Sequence, residues 1–314
     1  MRLFLFIPFI LLFHFCSYSQ QISSNDLKRI KISEDSLKKK SLIILDGINI
    51  SDRSIADSFF IKIFVRALKK KNSFNYPFDS LESISKLYPN DSTFRIFTWH
   101  LVIDDNNTIQ HGVIQMKTDD GSLNLIPLFD RSDLIQNIQD TVVDNYAWVG
   151  AIYYKIIQTS FNNKKFYTLL GYDENNIRSN KKYIDVLHFE NGKPIFGGNY
   201  FDIPDTIMPL SPLRYVMEYK KHTGPRLTFD DDMQIIIMEH MISETNEPLK
   251  KYTYIGDGDY EGFRWENGKW KYILKVFSQV TPEDQAPMPD PMRDEKGTIL
   301  DDKLKGRNED GKNN

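Results

Sequence analysis

The segment YIDVLHFENGKPIFGG, residues 183–198, runs apolar and β-branched into Glu-Asn-Gly-Lys and out again. The same tetrapeptide returns at 266–269, inside WENGKW at 265–270. Asn-Gly supplies the two consecutive residues of positive φ that a type I′ hairpin turn needs. Glu190 should then face Lys193 across one turn, and Glu266 should face Lys269 across the other. Such opposite-charge cross-strand pairs contribute at best about 1 kcal/mol. The aromatic neighbours Phe189, Trp265 and Trp270 would pack on the pleat. The repeated tetrapeptide is therefore read as a way of turning a corner, not as a repeated active-site element.

Working outward from these corners, the chain reads strand, turn, strand from Thr93 onward. TFRIFTWHLVI (93–103), TIQHGVIQMK (108–117) and SLNLIPLF (122–129) are separated by DDNN and DDG. After a helix-like break, DRSDLIQNIQD (130–140), come YAWVGAIYYKIIQTSF (146–161), an NNK turn and KFYTLLGYD (165–173). LRYVMEYKK (213–221), LTFDDDMQIIIMEHMI (227–242) and WKYILKVF (270–277) continue the pattern, with FDDDM (229–233) read as a tight acidic turn. Little room is left for crossover helices, so the expected class is mainly β and antiparallel. The strands fall into four sets, 93–128, 147–197, 213–240 and 251–277, which suits a propeller-like arrangement, a sandwich or an open barrel.

A small helical segment precedes them. Ile55, Phe59, Phe60, Ile63, Phe64, Ala67 and Leu68 lie on one helical stripe, with Ser51 or Asp52 as its cap. SEDSLKKK (33–40) suggests a short helix, and Phe78, Leu81, Ile84, Leu87 and Tyr88 suggest another, stopped by Pro89. The expected organisation is a signal peptide at 1–19, a linker and helical segment at 20–92, the antiparallel β domain at 93–277 and a disordered polar tail at 278–314. The tail is rich in proline and in charges of both signs, and has no aromatic residue with which to offset its ordering entropy.

MRLFLFIPFILLFHFCSYSQ opens with Arg2, runs apolar from Leu3 to Phe15, then turns small and polar. Ser17 and Ser19 fit a signal-peptidase site with the cut before Gln20. The expected product is periplasmic or secreted, without a transmembrane span after cleavage. An uncleaved anchor and a lipoprotein joined at Cys16 are the alternatives; bulky Phe13-His14-Phe15 disfavour the second. Cleavage removes the single cysteine, and with it thiol chemistry, Cys-ligated metals and disulfides. The formal net charge is −3 and no basic patch tracks a phosphate backbone, so nucleic acid is not an expected partner. Lys38-Lys39-Lys40 and Lys69-Lys70-Lys71 read as solvated faces.

Candidate sites are few. DGDYEG (257–262) places Asp257, Asp259, Glu261 and Gly262 like the first half of a calcium loop. The twelfth position is Gly268, where a bidentate Glu belongs, so a solvated loop entering a hairpin is preferred. His100 and His111 share a strand face if the turn is Asp105-Asn106 or Asn106-Asn107, but no further ligand is fixed near them. Asp185 shares a face with Tyr183, Leu187 and Phe189; burial would make it a general-acid candidate, pairing would make it structural. Trp99, Trp148, Trp265 and Trp270 read as core rather than as a sugar-stacking platform. No nucleophile elbow, zinc-protease motif or P-loop is present, so no catalytic, cofactor-binding or metal residue is assigned.

FRIFTWHL, YYKIIQTSFNNKKFYTLLGYD, KKYIDVLHFENGKPIFGG and YEGFRWENGKWKYI together resemble a family of uncharacterised exported bacterial proteins, over about residues 75–277. The resemblance implies an exported β-rich domain and brings no catalytic residues. The functional expectation is a non-catalytic binding or envelope-associated module whose partner is a protein or a glycan. The alternative is an exported glycan hydrolase whose acid pair is split between distant loops.

Overall fold

Both Asn-Gly corners turn as expected: Asn191 and Gly192 have φ of 51° and 77°, Asn267 and Gly268 of 52° and 81°. The computed structural model describes residues 21–277; the expected signal peptide and the expected tail at 278–314 lie outside the described residues. Glu190 stands opposite Lys193 and Glu266 opposite Lys269 in register. The carboxylates choose other partners, however: Glu190 lies 3.2 Å from His188, and Glu266 lies 3.8 Å from Lys271. Side chains two residues apart on one strand share a face, and these partners lie on the same face as the carboxylates they meet.

Two helices come first, α1 (Ser24–Asp46) and α2 (Ile50–Leu68). The Ser23 hydroxyl caps α1 by accepting from the Asp26 amide. The N-cap of α2 is Asn49, two residues before Ser51 and three before Asp52, the expected caps. The expected helix over 78–88 is absent. Phe78 sits at φ 56°; its carbonyl accepts from the Leu81 amide at 3.1 Å in a single turn that does not propagate, and the carbonyls of Phe78 and Leu81 both accept from the Lys86 ammonium. Phe78, Leu81 and Ile84 are buried, so their helix-like spacing reports a loop that fills the core.

The first sheet follows, with β1 (Ser85–Leu87), β2 (Phe94–Asp104), β3 (Asn107–Met116) and β4 (Asn124–Phe129) antiparallel in that order. Next come β5 (Val143–Asp144), β6 (Ile152–Phe161), β7 (Lys164–Asp173), β8 (Ser179–Glu190) and β9 (Lys193–Phe196). The last strands are β10 (Phe201–Asp202), β11 (Tyr215–Lys220), β12 (Leu227–Asp230), β13 (Ile235–Ser243), β14 (Tyr254–Glu266) and β15 (Lys269–Ile273). The second sheet runs β5-β9-β8-β7-β6, with β11 beside the first half of β8. The third runs β10-β15-β14-β13-β12, and its β10–β15 pair is parallel. The four expected strand sets thus become three sheets, because 215–220 joins the second sheet while 227–243 pairs with 254–266. No barrel closes, and the class is mainly β as the sequence indicates.

The sheets stack. Phe97, Trp99 and Leu101 of β2 meet Phe60, Phe64 and Leu68 of α2, while Phe94 and Ile96 point the other way, toward Trp148, Tyr167 and Leu187. In the second sheet, Tyr183 and Leu187 face the first sheet, while Ile184 and Val186 meet Phe201, Ile236, Phe263 and Trp270 of the third. The order of layers is helix pair, sheet, sheet, sheet. A sheet covered on both faces reads as a continuous apolar run, which is why YIDVLHF shows no clean alternation. Among the described residues no helix is long and apolar enough to cross a membrane.

Replacing either turn glycine with valine strains a left-handed backbone by about 1 kcal/mol or more. At Gly192 a Cβ meets nothing within 4 Å, whereas at Gly268 it would lie 2.5 Å from the Phe161 ring. Gly268→Val should therefore lower the urea midpoint more than Gly192→Val does. Unchanged midpoints for both would remove the type I′ account.

Candidate functional site

A concavity of about 500 Å³ opens at one edge of the first two sheets. Asn106 and Asn107 line it from the β2–β3 corner, Asp130 to Asp133 from the stretch after β4, and Asp173 at the end of β7, Asn175 in the connection that follows and Lys181 near the start of β8 complete it. Its volume is in the usual range for small-molecule sites, but its wall is far more polar than most. The Asn106 side-chain carbonyl accepts from the Ile177 amide at 3.4 Å, joining the β2–β3 corner to the β7–β8 connection.

Two carboxylates anchor this cleft, and neither was singled out by the sequence. Asp130 folds the chain back on itself: Oδ1 accepts from the Ser132 amide (3.0 Å), the Ser132 hydroxyl (2.7 Å) and the Gly150 amide (3.3 Å). Its Oδ2 accepts from the Gln110 amide at 3.2 Å. Residue 150 must be glycine here, since a Cβ would lie 2.5 Å from Asp130 Oδ2 and from the Gln110 side chain. Asp173 accepts from Gln110 Nε2 and the Asn175 amide, both at 3.1 Å, and from the Tyr183 hydroxyl at 3.2 Å. Gln110, itself buried, thus links the two acids through its backbone and its side chain. Burial pushes the Asp173 carboxyl above the ordinary aspartate range, and the Asp130 charge adds to this; the Asn175 amide, Lys181 and Gln110 oppose it.

The two histidines part company at this edge. The turn is Asp105-Asn106, with Asp104 opposite Asn107, but a bulge at Ile103 shifts the register by one residue. His100 therefore stands opposite Gln110, and Trp99 opposite His111, so the histidines lie on opposite faces. His100 faces the cleft side, and burial lowers its pKa while Glu174 and Asp173 oppose. His111 stacks on Trp99 at 5.2 Å, with its Nε2 3.1 Å from Asp57 of α2. A smaller apolar groove, about 200 Å³, lies on that other side, between α2 and β3–β4.

The remaining sequence candidates are structural. Asp185 is buried against Arg214, with Nε to Oδ2 at 2.8 Å; no general-acid geometry arises. DGDYEG lies within β14, where Asp257, Gly258 and Asp259 bulge opposite the single residue His240, rather than in the expected solvated loop. Asp257 Oδ2 meets His240 Nδ1 at 2.8 Å, while Glu261 is buried and accepts from the Tyr272 hydroxyl. These oxygens do not converge; among the described residues no group of three His, Cys, Asp or Glu could hold a metal ion. FDDDM is a turn, with Asp230 Oδ1 accepting from the Asp232 and Met233 amides. Trp99, Trp148 and Trp270 are buried in three different parts of the core, and Trp265 packs on Trp270 and Phe166.

No family model, curated protein or solved structure matches the chain.

The raised pKa of Asp173 fixes a sign. Its folded state holds the proton more tightly than the unfolded chain, so this contribution is full below the ordinary aspartate range. It is lost as pH rises through the elevated value. Asp173→Asn should therefore gain stability relative to the unaltered protein on going from pH 4 to pH 7. Urea unfolding at both pH values checks this; a relative loss on raising the pH would contradict it.

Proposed function

We propose that the protein is an exported, non-catalytic binding module of a bacterial envelope, and that the cleft takes a small hydroxyl-rich ligand, such as a glycan end. The observation that carries this reading is the commitment of Asp130. A nucleophile or general base needs a free lone pair aimed at substrate, whereas Asp130 already accepts from four donors of its own scaffold. The two acids are cross-linked by Gln110 instead of facing each other over open space. Around them the Lys181 ammonium and the side-chain carbonyls of Asn107 and Asn175 stand at the rim, the Nδ2 groups of these asparagines donating to Asp104 and Ser179; an ammonium donor beside carbonyl acceptors is chemistry that pairs with vicinal hydroxyls.

One observation favours a second reading, an exported hydrolase. Asp173 is desolvated and lies close enough to Asp130 to be raised by it, the arrangement expected of an acid partner. Calorimetry against a glycan panel, with a turnover screen on the same compounds, separates the two. Binding without turnover is expected, and it should weaken about tenfold or more in Asn107→Ala combined with Lys181→Ala, which removes charge-assisted hydrogen bonds. Turnover that disappears in a folded Asp173→Asn variant would overturn the binding reading in favour of the hydrolase.

A further inference from the structure

Among the described residues, exposed aliphatic side chains crowd together in sequence at the connection between α1 and α2. Leu42, Ile43, Leu45, Ile48 and Ile50 all fall within nine residues, and Ile48 is 93 % exposed. Elsewhere exposed aliphatics such as Leu134, Leu210 and Leu249 stand singly in loops, which is ordinary for a protein surface. A contiguous apolar tip is not ordinary.

The tip is also held rigid. The Gly47 amide closes α1 on the Ile43 carbonyl at 2.9 Å. Arg53 then grips the connection: Nη1 donates to the Gly47 and Ile48 carbonyls, Nε to Val102 and Nη2 to Ile103. The apolar side chains are presented by a fixed backbone clamped to β2, not by a loop free to fold them inward.

Charge indicates what the tip meets. Residues 38–53, the tip and the turns leading into it, carry Lys38, Lys39, Lys40 and Arg53 against the exposed Asp46 and Asp52, in a chain whose net charge is −3. Lys38 and Lys39 are exposed within two turns of the tip, and the Lys40 and Lys62 ammoniums lie over the exposed Phe59 ring at 5.3 and 5.7 Å. A second copy docking tip to tip would bring two such positive hairpins together. An apolar tip backed by lysines instead matches an anionic lipid surface, where aliphatic groups enter the acyl boundary and ammoniums meet headgroups.

We propose that the α1–α2 tip is a membrane-surface docking element for bilayers containing anionic lipid. This does not depend on what the cleft binds. Nor does it follow from the apolar run at Leu3 to Phe15: α1 has 23 residues, so the tip stands about 35 Å from its N-terminal end.

The test uses the full chain with Cys16→Ser and a polarity-sensitive fluorophore on Ile48→Cys, against vesicles of phosphatidylcholine and phosphatidylglycerol in equal parts. A second protein carries the label at Asn246→Cys, in the β13–β14 connection. The label at 48 should shift to the blue with these vesicles and not with phosphatidylcholine alone, and the label at 246 should not shift. Lys38→Gln, Lys39→Gln and Lys40→Gln together should weaken the apparent affinity about tenfold or more. No shift at 48, or equal shifts at both labels, would overturn the proposal. So would a label at 48 that is already shielded without lipid, or one that responds to protein concentration alone, which would assign the tip to another segment or to a second copy.

Discussion

The buried pair of Asp185 and Arg214 is the constraint on which the middle of the molecule depends. Both side chains are almost wholly removed from solvent. Charges taken out of water cost several kcal/mol each unless they are matched, so wherever one goes the other must follow. Asp185 lies on β8, and Arg214 stands one residue before β11, whose pairing with β8 begins at Tyr215 opposite Ile184. The pair thus fixes where β11 joins the second sheet. Arg214 Nη1 also donates to the carbonyls of Ile138 at 2.8 Å and Thr141 at 3.3 Å. That bond holds the long connection after β4, whose earlier part, Asp130 to Asp133, walls the cleft.

Seen from this pair, the cleft is the solvent end of a polar seam between two apolar sheets. Tyr183, two residues from Asp185 on the same face, donates to Asp173 at the cleft. Trp148 donates to the Tyr153 hydroxyl at 2.9 Å, and the Tyr153 amide donates to Thr98 of the first sheet at 3.0 Å. Buried polar groups with matched partners specify one arrangement of the layers, where apolar surfaces alone would tolerate sliding. In the first sheet Arg95 does similar work without any carboxylate. Its guanidinium is fully buried, donates to Gln115, Tyr88 and the carbonyls of Ser73 and Tyr76, and lies among the rings of Phe74, Phe78, Tyr88 and Phe97.

What was legible in the sequence was local. Asn-Gly announces positive φ through residue type, and both copies adopt it; Asn-Asn is less decisive, since Asn162-Asn163 adopts it and Asn106-Asn107 does not. The apolar stripe of α2 was readable in part: Phe60, Phe64, Ala67 and Leu68 are buried on one face, while Ile55 and Phe59, expected on the same stripe, are exposed. The 78–88 segment misled because core-filling loops and helices both bury every third or fourth residue, and the bond from Lys86 that replaces the helix cannot be seen in spacing. A bulge such as that at Ile103 leaves no compositional mark, yet it turned His100 and His111 to opposite faces. The cleft was hidden for a related reason: Gln110 lies on β3, Asp130 just after β4 and Asp173 at the end of β7, far apart in the chain. The local hint was Asp130 two residues before Ser132, a spacing that favours a side-chain turn, and it says nothing about what the turn faces.

Asp185 and Arg214 act as one structural unit, not as a reactive acid with a chance neighbour. The direct measurement is a double-mutant cycle by urea unfolding, using Asp185→Leu, Arg214→Met and the two together. Each single change strands a buried charge and should cost about 3–5 kcal/mol, while the double variant, with no charge left to strand, should recover much of that loss. Additive losses, or a single change that leaves stability intact, would contradict it.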